Sequence, residues 1–270
     1  MCILSKKEYE KIDLIINTTY NRACSFWDKT PLVLSEKFEA RSKRDSQSIP
    51  SNIPGNNLVS TVKSKREELF AVCVDIRKST EILKSYIKDE KFANGLHKIY
   101  LITSVLLPAI EEIIKENNGK VTEYLGDGLL AFFPVEKKDD QTIIDNCYYN
   151  ISRSVRKNLY GVLPLVNSFF KTKMNLCKDI LVGIGVSRSE AIIHAVGYND
   201  ILYPKAFGEC VFEASKLANI SQNTGVYVSN NVRQGWPSSK NGEISFKKDR
   251  LHEKSPYLKN IWKLNIKGNS

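Results

Sequence analysis

Short apolar runs alternate along this chain with longer segments whose apolar residues recur every three or four positions, a pattern that predicts a sheet covered by helices. Near the start, Ile12, Ile15, Ile16, Thr19, Tyr20 and Ala23 keep helical spacing, so residues 5–45 are expected to be helical. Ser46 to Ser60 then carries Pro50, Pro54, Gly55 and three asparagines and reads as a linker. The expected organisation is an N-terminal helical extension and linker over residues 1–60, followed by one domain over 61–270.

Inside that domain the first apolar run predicts a strand over 68–75, followed by helices through 79–117 with breaks near Asp89 and Pro108. Strands at 120–125 and 129–133 flank Gly126-Asp127-Gly128, a turn signal between apolar runs. A helical stretch follows over 140–172, interrupted at Pro164, and then strands at 180–187 and 190–197. A helix starts near Gly208, with Val211, Ala214, Ser215, Leu217 and Ala218 on its apolar side. Strands at 226–229, 243–247 and 257–265 close the domain. Hairpins mixed with crossover helices give an α+β class, a mixed sheet flanked by helices.

Composition narrows the function classes. The chain of 270 residues is 42% hydrophobic, enough for one sizeable core and an extension. No apolar run approaches the roughly 18–20 residues of a membrane span, and Met1 to Glu8 shows no signal-peptide pattern, so a cytoplasmic location is expected. The six cysteines stand at 2, 24, 73, 147, 177 and 210 with no Cys-x-x-Cys, and the three histidines are far apart, which argues against zinc and for reduced thiols. The net charge is +10, with basic clusters at Arg41–Arg44, Lys63–Arg66, Lys137-Lys138 and Lys247–Arg250. These clusters lack a regular basic face with interleaved aromatics, so an anionic small-molecule substrate fits better than nucleic acid.

The chemistry concentrates at two carboxylates. Leu69 to Val74 is an apolar run that delivers Asp75, and the run from Leu129 folds back through a turn that holds Asp127. Two aspartates at neighbouring strand ends can share divalent ions and clamp a phosphate. Ser79 and Thr80, just behind Asp75, are expected to cap a helix whose free N–H groups favour a triphosphate.

These residues resemble the class III nucleotide cyclases over about residues 66–265. The family's Asp-Ile-x-x-Phe-Thr is matched by Asp75-Ile76-Arg77-Lys78-Ser79-Thr80, with Ser79 in place of Phe. Its Gly-Asp hairpin is matched by Gly126-Asp127, and its Gly-x-x-Val-Asn-x-Ala-x-Arg helix by Gly208 to Lys216. The resemblance implies that a 3′-hydroxyl attacks its own α-phosphate, releasing pyrophosphate and a 3′,5′-cyclic monophosphate. It implies two divalent cations, Mg²⁺ or Mn²⁺, held by Asp75, Ile76 and Asp127, and a triphosphate bound by Arg77, Ser79 and Thr80. It also implies a homodimer with each site built across the interface. Phe212 stands where the family has the ribose-orienting Asn, and Lys216 where it has the transition-state Arg. Lys216 keeps the charge without the planar fork; Phe212 could stack on substrate or simply pack. The nearest enzyme alternative is a guanylate or adenylate cyclase; loss of both family residues also suits an inactive nucleotide-binding module, against which the two retained aspartates argue.

Two further positions bear on the base. Glu123, four residues before Asp127, and Lys205, three before Gly208, match the family's base-reading positions. An acceptor paired with a donor suits an N–H beside a carbonyl, as in guanine or uracil, and suits adenine worst. The small, sensor-free chain is similar to the compact pyrimidine cyclases of bacterial Pycsar antiphage systems, which implies cyclic UMP or cyclic CMP as product; the Glu123 and Lys205 pairing favours uracil over cytosine, and so UTP.

Overall fold

The computed structural model describes residues 3–29, 48–135, 140–198, 201–220, 223–237, 244–249, 258 and 260–266. Helix α1 (Lys6–Lys29) opens with a reciprocal cap. Ser5 N–H donates to Glu8 Oε2 at 2.8 Å, and Glu8 N–H donates to Ser5 Oγ at 3.3 Å. The expected continuation of this helix to residue 45 lies outside the described residues from residue 30. The segment expected to be a linker holds two short strands, β1 (Ser48–Pro50) and β2 (Leu58–Ser60), paired antiparallel. The turn signals there close a hairpin, and its Ile53 and Val59 are buried.

The domain then runs β3 (Lys65–Ile76), α2 (Ser79–Lys84), α3 (Gly95–Glu116), β4 (Lys120–Tyr124), β5 (Gly128–Pro134) and α4 (Gln141–Lys157). One π-helical turn (Asn158–Val162) leads into α5 (Leu163–Met174), followed by β6 (Val182–Tyr198), β7 (Ile201–Gly208) and α6 (Glu209–Ala218). β8 (Gly225–Val228), α7 (Asn230–Gly235), β9 (Ile244–Asp249) and β10 (Ile261–Ile266) complete it. This is the expected α+β class.

Four local expectations differ. Pro108 sits inside α3 without ending it; Leu106, Leu107, Ala109 and Ile110 around it are all buried, and that burial outweighs the lost backbone hydrogen bond. Pro164 falls in the first turn of α5, where a missing N–H costs nothing, and the π turn before it keeps the rod continuous. The two strands expected between 180 and 197 are one strand, because its polar middle is paired: Arg188 donates to Glu68 Oε1 at 2.9 Å and lies over the Phe70 ring. β7 is a strand the apolar pattern does not predict, since Pro204 interrupts it; the proline is tolerated where a strand pairs on one side only.

The eight-stranded sheet has the order β4-β5-β3-β6-β8-β10-β9, with β7 also on β6. All pairings are antiparallel except β6 with β8. Alternation along β3 sends Phe70, Val72, Val74 and Ile76 to the thick core made with α1, α3, α4 and α5. Leu69, Ala71 and Cys73 face the thinner cluster under α6 and the β1–β2 hairpin. By the same alternation Asp75 belongs to the α6 face.

Candidate active site

Register brings the two aspartates together. Asp75 pairs with Gly128, the residue after Asp127. Gly126 takes φ of +75° to turn the chain, a conformation open to glycine at little cost. Ile76 N–H then donates to the carbonyl of Asp127 at 3.1 Å, fixing the turn against the end of β3. The Ser79 hydroxyl donates to Asp127 Oδ2. Ser79 therefore does not cap α2: the capping position is Lys78, in the left-handed region, with no side-chain bond. Thr80 is exposed one residue further on.

Burial pushes the Asp75 carboxyl up to about 6, the charge of Asp127 adds to this, and Arg77 opposes it. Two carboxylates confined together suit a hard divalent cation. Among the described residues no group of three or more His, Cys, Asp or Glu surrounds them. That fits a Mg²⁺-type site, which takes one or two carboxylates and completes its shell with phosphate and water. The cleft here is about 440 Å³, and its lining includes Asp75, Ile76, Arg77, Ser79, Thr80, Asp127 and Asn219. Asn219, just past α6, was not anticipated; no signal in the sequence marks it. Arg77 is 4% exposed, with Nη1 3.7 Å from Asp75 Oδ2.

Glu123 and Lys205 form a second cluster. A bulge between Val121 and Glu123 shifts the β4–β5 register, so that Val121 pairs with Ala131 and Glu123 with Leu130. The extra residue moves Glu123 from the face of Val121 to that of Leu130, the α6 side. There Lys205 Nζ meets Glu123 Oε2 at 2.5 Å. Lys205 sits in the β6–β7 ribbon opposite His194, between the cross-strand pairs Ile192–Phe207 and Val196–Tyr203. Those four flanking residues are all exposed, so one face of the ribbon is an apolar stripe interrupted by Lys205. Phe212, 66% exposed, and Lys216, also exposed, stand one helical turn apart on α6, and neither lines the aspartate cleft.

No protein-family model matches the sequence, and none of the curated proteins does. Solved structures do. The crystal structure of the guanylyl cyclase Cya2 is 15% identical, covers 76% of this chain and 96% of its own, and superposes with a TM-score of 0.57. The adenylyl cyclase CyaB from P. aeruginosa is 14% identical, covers 77% of this chain and 98% of its own, and gives 0.58. The guanylate cyclase domain of RhGC from Catenaria anguillulae, in complex with GTP, is 17% identical, covers 76% and 100%, and gives 0.51. The mixed sheet flanked by helices is thus that of the class III nucleotide cyclase fold.

Proposed function

We propose that the protein is a nucleotide cyclase that converts a nucleoside triphosphate, preferentially UTP, to its 3′,5′-cyclic monophosphate and pyrophosphate. The observation that carries the cyclase reading is the junction of Asp75 and Asp127 at the β3–β5 register, in the fold of adenylyl and guanylyl cyclases. Asp75, the main chain at Ile76 and Asp127 would hold two divalent cations, Mg²⁺ or Mn²⁺. When bound, such ions supply Lewis acidity at the phosphates and make the 3′-hydroxyl a better nucleophile. Ser79 holds Asp127 in place through its hydroxyl, and Thr80 stands exposed at the cleft for the triphosphate. Lys216 supplies a mobile cation for the charge that develops on the α-phosphate. Phe212 offers a ring face to the nucleoside.

Glu123 and Lys205 support the uracil preference. Glu123 accepts the N3–H of the base and Lys205 donates to O4, so the base inserts into a pair already aligned at 2.5 Å. The metal cluster and the cluster of Lys216 with Phe212 do not meet within one chain. A second copy, packed on the stripe of Ile192, Phe207, Val196 and Tyr203, would bring one chain's aspartates to the other's α6. The enzyme would act as a second-messenger synthase of the Pycsar antiphage kind. Phe212 in place of an amide also favours a second reading, an inactive nucleotide-binding module.

The test is incubation with each of the four ribonucleoside triphosphates and Mn²⁺ or Mg²⁺, followed by chromatography. Cyclic UMP is expected to predominate from an equimolar mixture. Predominant cyclic AMP would overturn the base assignment; predominant cyclic GMP would spare the Glu123–Lys205 logic and overturn uracil. Stabilisation by nucleotide without any product would establish the binding module instead.

A further inference from the structure

Arg77 follows the first aspartate in the sequence, yet its side chain turns inward. An ideal Cβ placed on Gly183 would lie 1.6 Å from Arg77 Nη2, 2.0 Å from its Cζ and 2.3 Å from the carbonyl oxygen of Ala218. The guanidinium therefore fills the space that Gly183 leaves, against the C-terminal end of α6, where helix carbonyls favour a cation. On its other side it faces Asp75 at 3.7 Å. Among the described residues its Nε and Nη2 have no hydrogen-bond partner. A buried cation with open donors is a poor source of fold stability. What it provides is a fixed positive charge beside Asp75, in the wall of the cleft and only 4% exposed.

We propose that Arg77 is a positioning residue: from the interior it holds the Asp75 carboxylate for divalent-cation binding, and it does not contact the nucleotide. The proposal rests on the two-metal reading of the cleft. Outer partners of metal-ligating carboxylates typically change metal affinity about 10–100-fold when removed, and that is the loss expected here.

The experiment is a Mn²⁺ titration of the nucleotide-free full chain, followed by the paramagnetic resonance of free Mn²⁺, with a circular dichroism melt of each variant. Arg77→Met and Gly183→Ala are expected to bind Mn²⁺ 10–100-fold more weakly, the second because its new methyl displaces an unaltered guanidinium. Arg77→Lys, which keeps the charge on a different head group, should fall between these and the wild type. At saturating Mn²⁺ the KM for nucleotide should stay within about twofold, since no binding contact is lost. Native Mn²⁺ affinity in a folded Arg77→Met variant would overturn the proposal, as would a raised KM with native Mn²⁺ affinity. Should Arg77→Met not fold, Arg77→Lys decides: weakened Mn²⁺ binding in a folded protein supports the proposal and native affinity overturns it. A wild-type chain that binds Mn²⁺ but forms no cyclic product refutes the cyclase reading and leaves Arg77 its role. A wild-type chain that binds no Mn²⁺ overturns both.

Discussion

Asp75 and Asp127 act together, because the charge of Asp127 bears on Asp75 and, among the described residues, no group of three or more His, Cys, Asp or Glu is gathered there. Asp75→Ala and Asp127→Ala are each expected to abolish turnover while the fold survives, as shown by activity at saturating Mn²⁺ beside a native melt. Retained activity in either would remove the two-metal reading. Glu123→Gln and Lys205→Ala should each weaken discrimination for uracil by about 1–3 kcal/mol, the cost of one unpaired buried polar contact. Product ratios from mixed triphosphates measure this, and an unchanged ratio would mean that other residues read the base. The strand-end aspartates were legible because an apolar run ending in Asp is visible in one dimension. The turn of Glu123 onto the α6 face was not: it depends on a bulge at Val121-Thr122-Glu123, where no glycine marks the irregularity. Ser79 was legible as a hydroxyl at a helix start, but its partner is an aspartate 48 positions away, not its own backbone.

Helix α1 belongs to the thick core. Ile12, Ile16 and Ala23 are buried there, and Trp27 stacks on His97 at 4.6 Å near the start of α3. Its first turn is tied to α4 by an ion pair between Glu8 and the buried Lys157. Burial raises the Glu8 carboxyl, but Lys157 and the Ser5 N–H and hydroxyl overcome this and bring it down from 4.5 to about 2. The folded state therefore gains from an ionised Glu8 at pH above about 4.5, and that gain fades as pH falls toward about 2. Glu8→Gln should lower the melting temperature at pH 7 and flatten its decline over that acid range, measured by melts across pH. A chain cut to residues 61–270 should be far less stable or insoluble. It would lose Ile12 and Ile16 from one face of the sheet and Ile53 and Val59 from the other. The helical spacing of α1 announced the element, whereas its partners lie far along the chain, 70 residues on for Trp27 (His97) and 149 residues on for Glu8 (Lys157), and could not be read from spacing.

For the whole molecule the asymmetry of the two sheet faces matters most. Helices α1, α3, α4 and α5 cover one face, while Asp75, Glu123, Lys205, Phe212 and Lys216 all belong to the other, more open side. If two copies complete each site, an Asp127→Ala chain mixed with a Lys216→Ala chain should recover activity at one of the two composite sites. Specific activity should also fall on dilution. A protein that is monomeric by light scattering and fully active would contradict this. The β6–β7 ribbon has a thermodynamic consequence of its own. Beyond Ile193, β6 pairs only with β7, and a two-stranded ribbon draws its stability from what packs on it, here the β1–β2 hairpin on its inner face. Lys205 sits on that ribbon, so the base-reading pair proposed for it is only as ordered as the ribbon. Anything that packs on Ile192, Val196, Tyr203 and Phe207 removes the entropy that the nucleotide would otherwise have to overcome in ordering Lys205. On the proposed reading, partner and nucleotide would be cooperative ligands without touching, each tightening the other by the same factor.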